Sequence, residues 1–301
     1  MTLSKADSSG IEKNNLKGSL WMIIAMAAFA IEDGFIKGAT NTLSIAQVLV
    51  LFGLGGMLVF SGILIYSRQP LFIPDIVSRS MLIRFAFEII GRLFYVLSIA
   101  LIPLSVATVI LQATPLVVIL GAVLLFGETV GWRRWLAIFV GLAGVIVIVQ
   151  PGTEGFSSLS LLAIIAMLGF AGRDLASRAA PITVGTAHLG LYGFLAIVIA
   201  GLLYFTIVGG SFVIPDTDSS LALLGGILFG VCAYSCLMAA MRTGEVSAVT
   251  PFRYTRLLFG VLLGLVFFGE ELTSSMIFGS ILIVVSGLFI LSRSGRNKTR
   301  D

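Results

Sequence analysis

The sequence predicts an all-α integral membrane protein with ten transmembrane helices arranged as two inverted five-helix repeats. Three observations predict it. The 301 residues are 58% hydrophobic and only 11% charged, with a mean hydropathy of +1.09, whereas soluble domains carry about a quarter charged residues. The same apolar phrases recur in both halves of the chain. The basic residues between the apolar runs fall on one side of the predicted membrane.

A helix rising 1.5 Å per residue needs about 20 apolar residues to cross a bilayer core. Ten such runs follow one another at 19–38, 44–66, 82–101, 105–126, 134–150, 158–177, 184–208, 221–242, 246–268 and 274–292. Residues 1–18 are polar and read as a cytoplasmic tail, too long and too mixed for a cleaved signal peptide. The first run then acts as an uncleaved anchor. Five runs make a first repeat over 19–152 and five a second over 153–292, leaving 293–301 as a basic cytoplasmic tail. No connection is long enough for a soluble domain. The pI near 9.3 is explained by tails and loops, so the lipid bilayer, and no nucleic acid, is the expected macroscopic partner.

Orientation follows from Lys and Arg. With the N-terminus inside, the inner segments hold Lys5, Lys13, Lys17, Arg68, Arg79, Arg84, Arg133, Arg134, Arg178, Arg242, Arg293, Arg296, Lys298 and Arg300. The outer loops hold no Lys or Arg but do hold Glu154, Asp216, Asp218, Glu270 and Glu271. Both termini are therefore expected in the cytoplasm.

The repeat is visible in two pairs of segments. IIAMAAFAIEDGFIK (Ile23 to Lys37) matches IIAMLGFAGRDLASR (Ile164 to Arg178), and SVATVILQATPLVVILGAVLLFGE (Ser105 to Glu128) matches SAVTPFRYTRLLFGVLLGLVFFGE (Ser247 to Glu270). Five is odd, so the second repeat must enter the membrane in the opposite sense. The flanks agree: Gly127-Glu128 precedes Arg133 and Arg134, whereas Gly269-Glu270 precedes Glu271 and no base. Inverted repeats of this kind build secondary transporters, with a ligand site near the midplane where the halves meet.

Ten spans as five plus five, a Gly-Glu closing the fourth span of each half, and the stretch LQATPLVVILGAVLLFGETVGWRRWLAIFVGLAGVIVI (Leu111 to Ile148) resemble the EamA branch of the drug/metabolite transporter superfamily. The resemblance covers nearly the whole chain. It implies an inner-membrane carrier for small organic metabolites. Pro115 matches the family's proline in the fourth span. Its repeat counterpart is Leu257, and Arg253 and Arg256 stand where such proteins more often carry apolar or small residues.

Charges inside the spans are functional candidates, because each costs an isolated helix about 2.5–3.5 kcal/mol. In the ninth span two Arg cost roughly 5–7 kcal/mol while 13 Val, Leu and Phe return about 4–8. It inserts only marginally alone, so its charges need partners in the bundle. Arg253 lies roughly 10 Å deep and Arg256 roughly 15 Å, on one face, with Tyr254 turned away by about 100°. Both are candidate substrate ligands, with Tyr254 beside them. The alternative is that they pair with Glu32 or Asp33 of the other half. Arg92 is also near mid-depth, four residues after Glu88, so the two form either a self-neutralising pair or part of the site.

Both repeat copies keep an acid followed four residues later by a base: Asp33 with Lys37, and Asp174 with Arg178. These read as a shared structural device or as paired gates. The preceding residue differs in sign, Glu32 against Arg173, which makes both candidate substrate ligands. Asp33, Glu88 and Asp174 are candidate gate or proton-coupling groups. Arg suits planar carboxylate or phosphate, so an anionic or zwitterionic metabolite is expected. A proton-driven exporter of cationic or amphiphilic compounds is the alternative, and a channel or scaffold a more remote one.

Gly53–Gly56 and Gly141 with Gly144 are expected to let helices approach closely. A working monomer is the simpler expectation, since the duplication supplies both halves, with a homodimer possible through the glycine faces. No enzyme, cofactor or metal site is predicted. His188 is the single histidine and is expected at an interface, and Cys232 and Cys236, one turn apart, read as small buried thiols.

Overall fold

The computed structural model describes residues 5–101, 110–149, 158–268 and 274–293. They form ten long helices: α1 (Lys5–Ala39), α2 (Ile45–Tyr66), α3 (Arg79–Leu101), α4 (Thr114–Phe126), α5 (Trp132–Val149), α6 (Ser160–Arg178), α7 (Thr186–Val208), α8 (Thr217–Arg242), α9 (Thr255–Phe268) and α10 (Ser274–Arg293). No strand occurs among the described residues. Each helix lies on one of the apolar runs, and the departures have local causes. The polar tail continues α1 back to Lys5, where no Pro interrupts it. The ninth run is broken: Val246–Val249 make one α-turn and Thr250–Tyr254 a 3-10 turn before α9 begins. Pro251 accounts for the break, since it lacks an N–H and its ring crowds the carbonyl four residues back. A non-helical turn at Gln112 and Ala113 likewise precedes α4, with Pro115 in its first turn.

Glu154, Glu270, Glu271, Arg296, Lys298 and Arg300 lie outside the described residues, as do Ser105 and the side chains of Lys5, Lys37 and Arg293. Five of the helices are long and apolar enough to cross a membrane by length and composition: α1 over Lys13–Ile36, α2, α6, α7 and α8. Helix α3 carries Arg79, Arg84, Glu88 and Arg92, and α4 and α9 are shortened by their breaks.

The bundle has an apolar exterior and a charged interior. Leu58 and Leu124 are 74% and 73% exposed, whereas Arg84, Glu88 and Asp174 have no exposed surface at all. In water that distribution would be costly on both sides.

Packing follows the repeat. The most extensive contacts join α1 to α8, α3 to α6, α2 to α7 and α5 to α10, with smaller ones joining α1 to α9 and α4 to α6. If α1–α5 are exchanged with α6–α10, this set maps onto itself. The self-paired helices run antiparallel. Gly53 of α2 lies against Val198 of α7, while Phe60 lies against Gly190; in the other pair Ser286 of α10 donates to the Ala137 carbonyl of α5 at 2.6 Å, and Gly144 faces Gly279. Between α3 and α6 the backbones touch: a Cβ on Gly169 would sit 2.6 Å from the Gly91 Cα. Gly127 closes α4 at φ 65°, a left-handed conformation that suits glycine. The expected close approach at Gly53 and Gly56 is met by Val198 and Phe194, and at Gly141 by Tyr254.

Two smaller expectations change. His188 is buried, with Nε2 2.9 Å from the Pro70 carbonyl, because the segment before α3 folds over the start of α7. Cys236 is buried but Cys232, a turn earlier, is exposed.

Candidate functional site

Helix α3 brings Arg84, Glu88 and Arg92 to one face at four-residue spacing. That face meets α6, which carries Phe170, Arg173 and Asp174, and α8 adds Tyr234. The 3-10 break before α9 brings Arg253, α9 brings Arg256, and α1 brings Glu32 and Asp33. The charges connect in order across the halves. The Glu88 carboxylate accepts from Arg173 Nη1 at 3.1 Å and from the Tyr234 hydroxyl at 2.8 Å, with Arg84 Nη2 at 4.0 Å. Arg173 Nε donates to Asp174 at 2.9 Å, and the other Asp174 oxygen pairs with Arg253. Nearer the surface, Arg256 grips Asp33 through Nε at 3.0 Å and Nη2 at 2.6 Å; those side chains are 36% and 54% exposed. A buried ion pair is costly to desolvate, and here every member of the inner chain has a hydrogen-bonded partner.

Two charged groups are left out of that chain. Glu32 is 5% exposed, and its Oε2 accepts no hydrogen bond; the Nε of Arg92 likewise has no acceptor. Arg92 and Arg173 both lie over the Phe170 ring, at 5.9 and 5.0 Å from its centroid, and Tyr95 meets that ring edge-on at 5.9 Å. Arg256 lies over Phe29 at 5.1 Å.

The structure therefore brings together Glu32, Asp33, Glu88, Arg92, Arg173, Asp174, Arg253 and Arg256. Tyr254 does not join them: it is buried against Val145 and Ile283 on the α5–α10 side, with Gly141 beneath its ring. Of the two readings of Glu88 and Arg92, the self-neutralising pair is not formed, because Arg173 and Tyr234 occupy the Glu88 carboxylate. Nor does Asp174 pair with Arg178, which donates to the Met241 carbonyl at 3.3 Å instead. Arg84, expected in an inner segment, is wholly buried; it donates to Ser177 Oγ and the Leu189 carbonyl, both at 2.9 Å, and to Tyr234. The spacing 84, 88, 92 was the signal for it. Tyr234 carried no comparable signal.

A second polar cluster sits where α1, α5 and α8 converge. Glu128 accepts from the backbone N–H groups of Val246 and Ser247 at 2.9 and 3.0 Å. Arg134 donates to Ser247 Oγ and to Glu245, both at 3.0 Å. Asn15 accepts the Glu245 N–H at 2.7 Å and donates to its carboxylate at 3.3 Å. The first half thus clamps the loop that leads into the broken ninth segment. Beside it Asn14, Asn15, Arg178, Arg242, Gly244 and Glu245 line a cavity of about 320 Å³. Among the described residues no three His, Cys, Asp or Glu side chains are grouped to hold a metal ion.

The model of the EamA-like transporter family matches the chain twice, over residues 16–150 and 157–292. A riboflavin transporter of Rhizobium johnstonii is 26% identical over 286 residues, covering 94% of this chain and 93% of the relative. An S-adenosylmethionine uptake transporter of Rickettsia prowazekii is 25% identical, covering 93% and 94%. A pseudopaline exporter of Pseudomonas aeruginosa is 27% identical, covering 89% and 94%. One solved crystal structure superposes with a TM-score of 0.76 at 20% identity, over 92% of this chain and 98% of the other, a likeness of fold.

Proposed function

The chain belongs to the EamA-like transporter family, and from that premise we propose that it carries a small anionic or zwitterionic organic metabolite across the bacterial inner membrane by alternating access. Its relatives are membrane transporters named for riboflavin, S-adenosylmethionine and pseudopaline, each a small organic molecule, and both uptake and export occur among them. All ten helices cross the bilayer in this reading, as repeats over 19–152 and 153–292 that are inverted about a two-fold axis in the membrane plane. The antiparallel run of α2 against α7 and of α5 against α10 supports the inversion. Both termini lie in the cytoplasm, on the side where the basic residues gather.

One observation carries the proposal: a chain of buried charges joins the two halves inside a bundle whose outside is apolar. Intramembrane charges of this kind mark substrate and ion pathways. Arg92, Arg173, Arg253 and Arg256 supply the forked donors that suit carboxylate, and Glu32 supplies the acid a zwitterion needs. The clamp of Glu128, Arg134, Asn15 and Glu245 closes the cytoplasmic end, and its release opens the site to that side. The outer pair Asp33–Arg256 and the inner pair Asp174–Arg253 rearrange as the halves rock.

Thermal unfolding of the purified protein against anionic, zwitterionic and cationic metabolites tests this. A ligand at 100 times its Kd adds about 2.7 kcal/mol. Carboxylates or zwitterions are expected to stabilise the wild type, and Arg253→Gln and Arg256→Gln to weaken that response. Stabilisation by cations alone, with both variants responding as the wild type, would overturn the reading.

A further inference from the structure

We infer that Glu32 and Arg92 form a two-pole site for a zwitterion, Glu32 receiving the ammonium and Arg92 the carboxylate. The inference rests on the carrier reading and names the class of its substrate.

The argument starts from what the remaining charges do. Glu88, Arg173, Asp174 and Arg253 neutralise one another in sequence, and Asp33 neutralises Arg256. Glu32 and Arg92 alone in this cluster have no ion pair within 4.0 Å among the described residues. Both belong to the same charged cluster, but no ion pair joins them within 4.0 Å. The buried Glu32 Oε2 has no donor and the buried Arg92 Nε no acceptor, and a buried polar atom left unpaired is costly. One ligand that brings a donor and an acceptor together satisfies both at once.

Charge decides between ligand classes. A simple anion satisfies Arg92 but sets a second negative charge beside Glu32. A simple cation satisfies Glu32 and leaves Arg92 facing like charge, with Arg256 close by. A zwitterion alone meets both poles. The surroundings fix the poles in place. Glu32 sits where α1 passes Gly230 of α8, against which the Phe52 ring of α2 packs; a Cβ on Gly230 would lie 3.4 Å from the Glu32 carboxylate carbon. Phe170 supports the Arg92 guanidinium by its face, and Tyr95 holds the ring edge-on. Neither pole has an ion-pair partner to lose, so neither is explained as a salt-bridge strut.

Equilibrium binding to the purified, full-length wild-type protein tests this without depending on any variant. The probes are the twenty common amino acids and S-adenosylmethionine, and the best binder is repeated as its methyl ester, which lacks the carboxylate charge, and as its N-acetyl derivative, which lacks the ammonium. We expect at least one zwitterion to bind and each blocked form to bind about 10- to 100-fold more weakly. Glu32→Gln should weaken the zwitterion by a similar factor while the N-acetyl form, relieved of a like charge, binds no more weakly than to wild type; Arg92→Gln should weaken the zwitterion likewise while the ester binds no more weakly. The inference is overturned if no zwitterion binds, if a blocked form binds as well as its parent, or if neither variant shifts the affinity beyond about twofold. Saturable flux of a singly charged compound, indifferent to both variants, would keep the carrier and discard the zwitterion. Tight zwitterion binding without any flux in liposomes would keep the site and discard the carrier.

Discussion

Replacing Glu88 with Gln removes one negative charge from the centre of the bundle and changes almost nothing else. The wild-type carboxylate, itself wholly buried, accepts from Arg173 at 3.1 Å and Tyr234 at 2.8 Å, and Arg84 stands 4.0 Å away. Gln keeps one acceptor oxygen and turns an amide N–H₂ toward a second donor, so one of the two bonds is lost. Arg173 retains Asp174, but Arg84 retains only neutral partners. Breaking a buried pair from one side costs about 3–5 kcal/mol, which corresponds to a fall in Tm of about 6–20 °C if the slope for larger domains applies. Tyr234→Phe removes a bond to the same carboxylate, so the double variant should lose less than the two singles together, by about 0.5–3 kcal/mol. Thermal unfolding in one detergent, with all four proteins side by side, measures both quantities. A Glu88→Gln variant that melts within about 2 °C of wild type, or singles that simply add, would show that the inner charge chain is not a bonded unit.

The other predictions concern the clamp, the helix contacts and a cap. Glu128→Ala leaves the Val246 and Ser247 N–H groups without their charged acceptor, worth about 1.5–3 kcal/mol each at most; hydrogen exchange at those two amides should quicken by at least tenfold while α2 and α7 stay protected. Gly169→Val drives a side chain into the Gly91 backbone, and overpacking of that kind should destabilise by about 1–3 kcal/mol. Gly34→Ala meets no atom within 4 Å and should be neutral or stabilise the helix by about 0.5–1 kcal/mol; unfolding curves for the pair check both. Asp216 caps α8 by accepting the Ser219 N–H at 3.0 Å, and the hydrogen bonds from Ser219 hold its carboxyl below the usual 3.8. Its contribution is therefore complete above that ordinary value and lost as the pH falls through the lowered one. Asp216→Ala should accordingly be less stable than wild type at neutral pH and equal to it once the acid is protonated.

Much of this was legible in the sequence because it follows from hydropathy and repetition. The apolar runs located every helix, and the repeat divided them five and five. Pro251 sits inside an apolar run that is continuous by hydropathy, and it divides that run into a turn, a 3-10 segment and a helix. The pairing of charges was the part that spacing misjudged. An acid followed four residues later by a base reads as a local pair, yet Asp174 turns from Arg178 to Arg173 and Arg253, and Glu88 turns from Arg92 to Arg173 and Tyr234. In a buried bundle partners also come from other helices, and the register between helices is set by contacts such as Gly91 on Gly169, which no local pattern states. Arg84 was misjudged for a related reason. Third in its run, it reads as one of the inner-segment bases, but α6, α7 and α8 all pack over that turn. Glu128 was legible as a repeat mark and became a clamp only when Val246 and Ser247 were seen above it.

The central claim is that the two halves carry a bound molecule and do not form an open pore. Counterflow in liposomes tests that most directly, with vesicles preloaded with unlabelled ligand, diluted into a trace of labelled ligand, and followed over time. A carrier exchanges its load, so the label should rise transiently above its equilibrium level and then fall, and Glu88→Gln should abolish the overshoot. A label that rises only to equilibrium, with a rate that never saturates, would contradict the account.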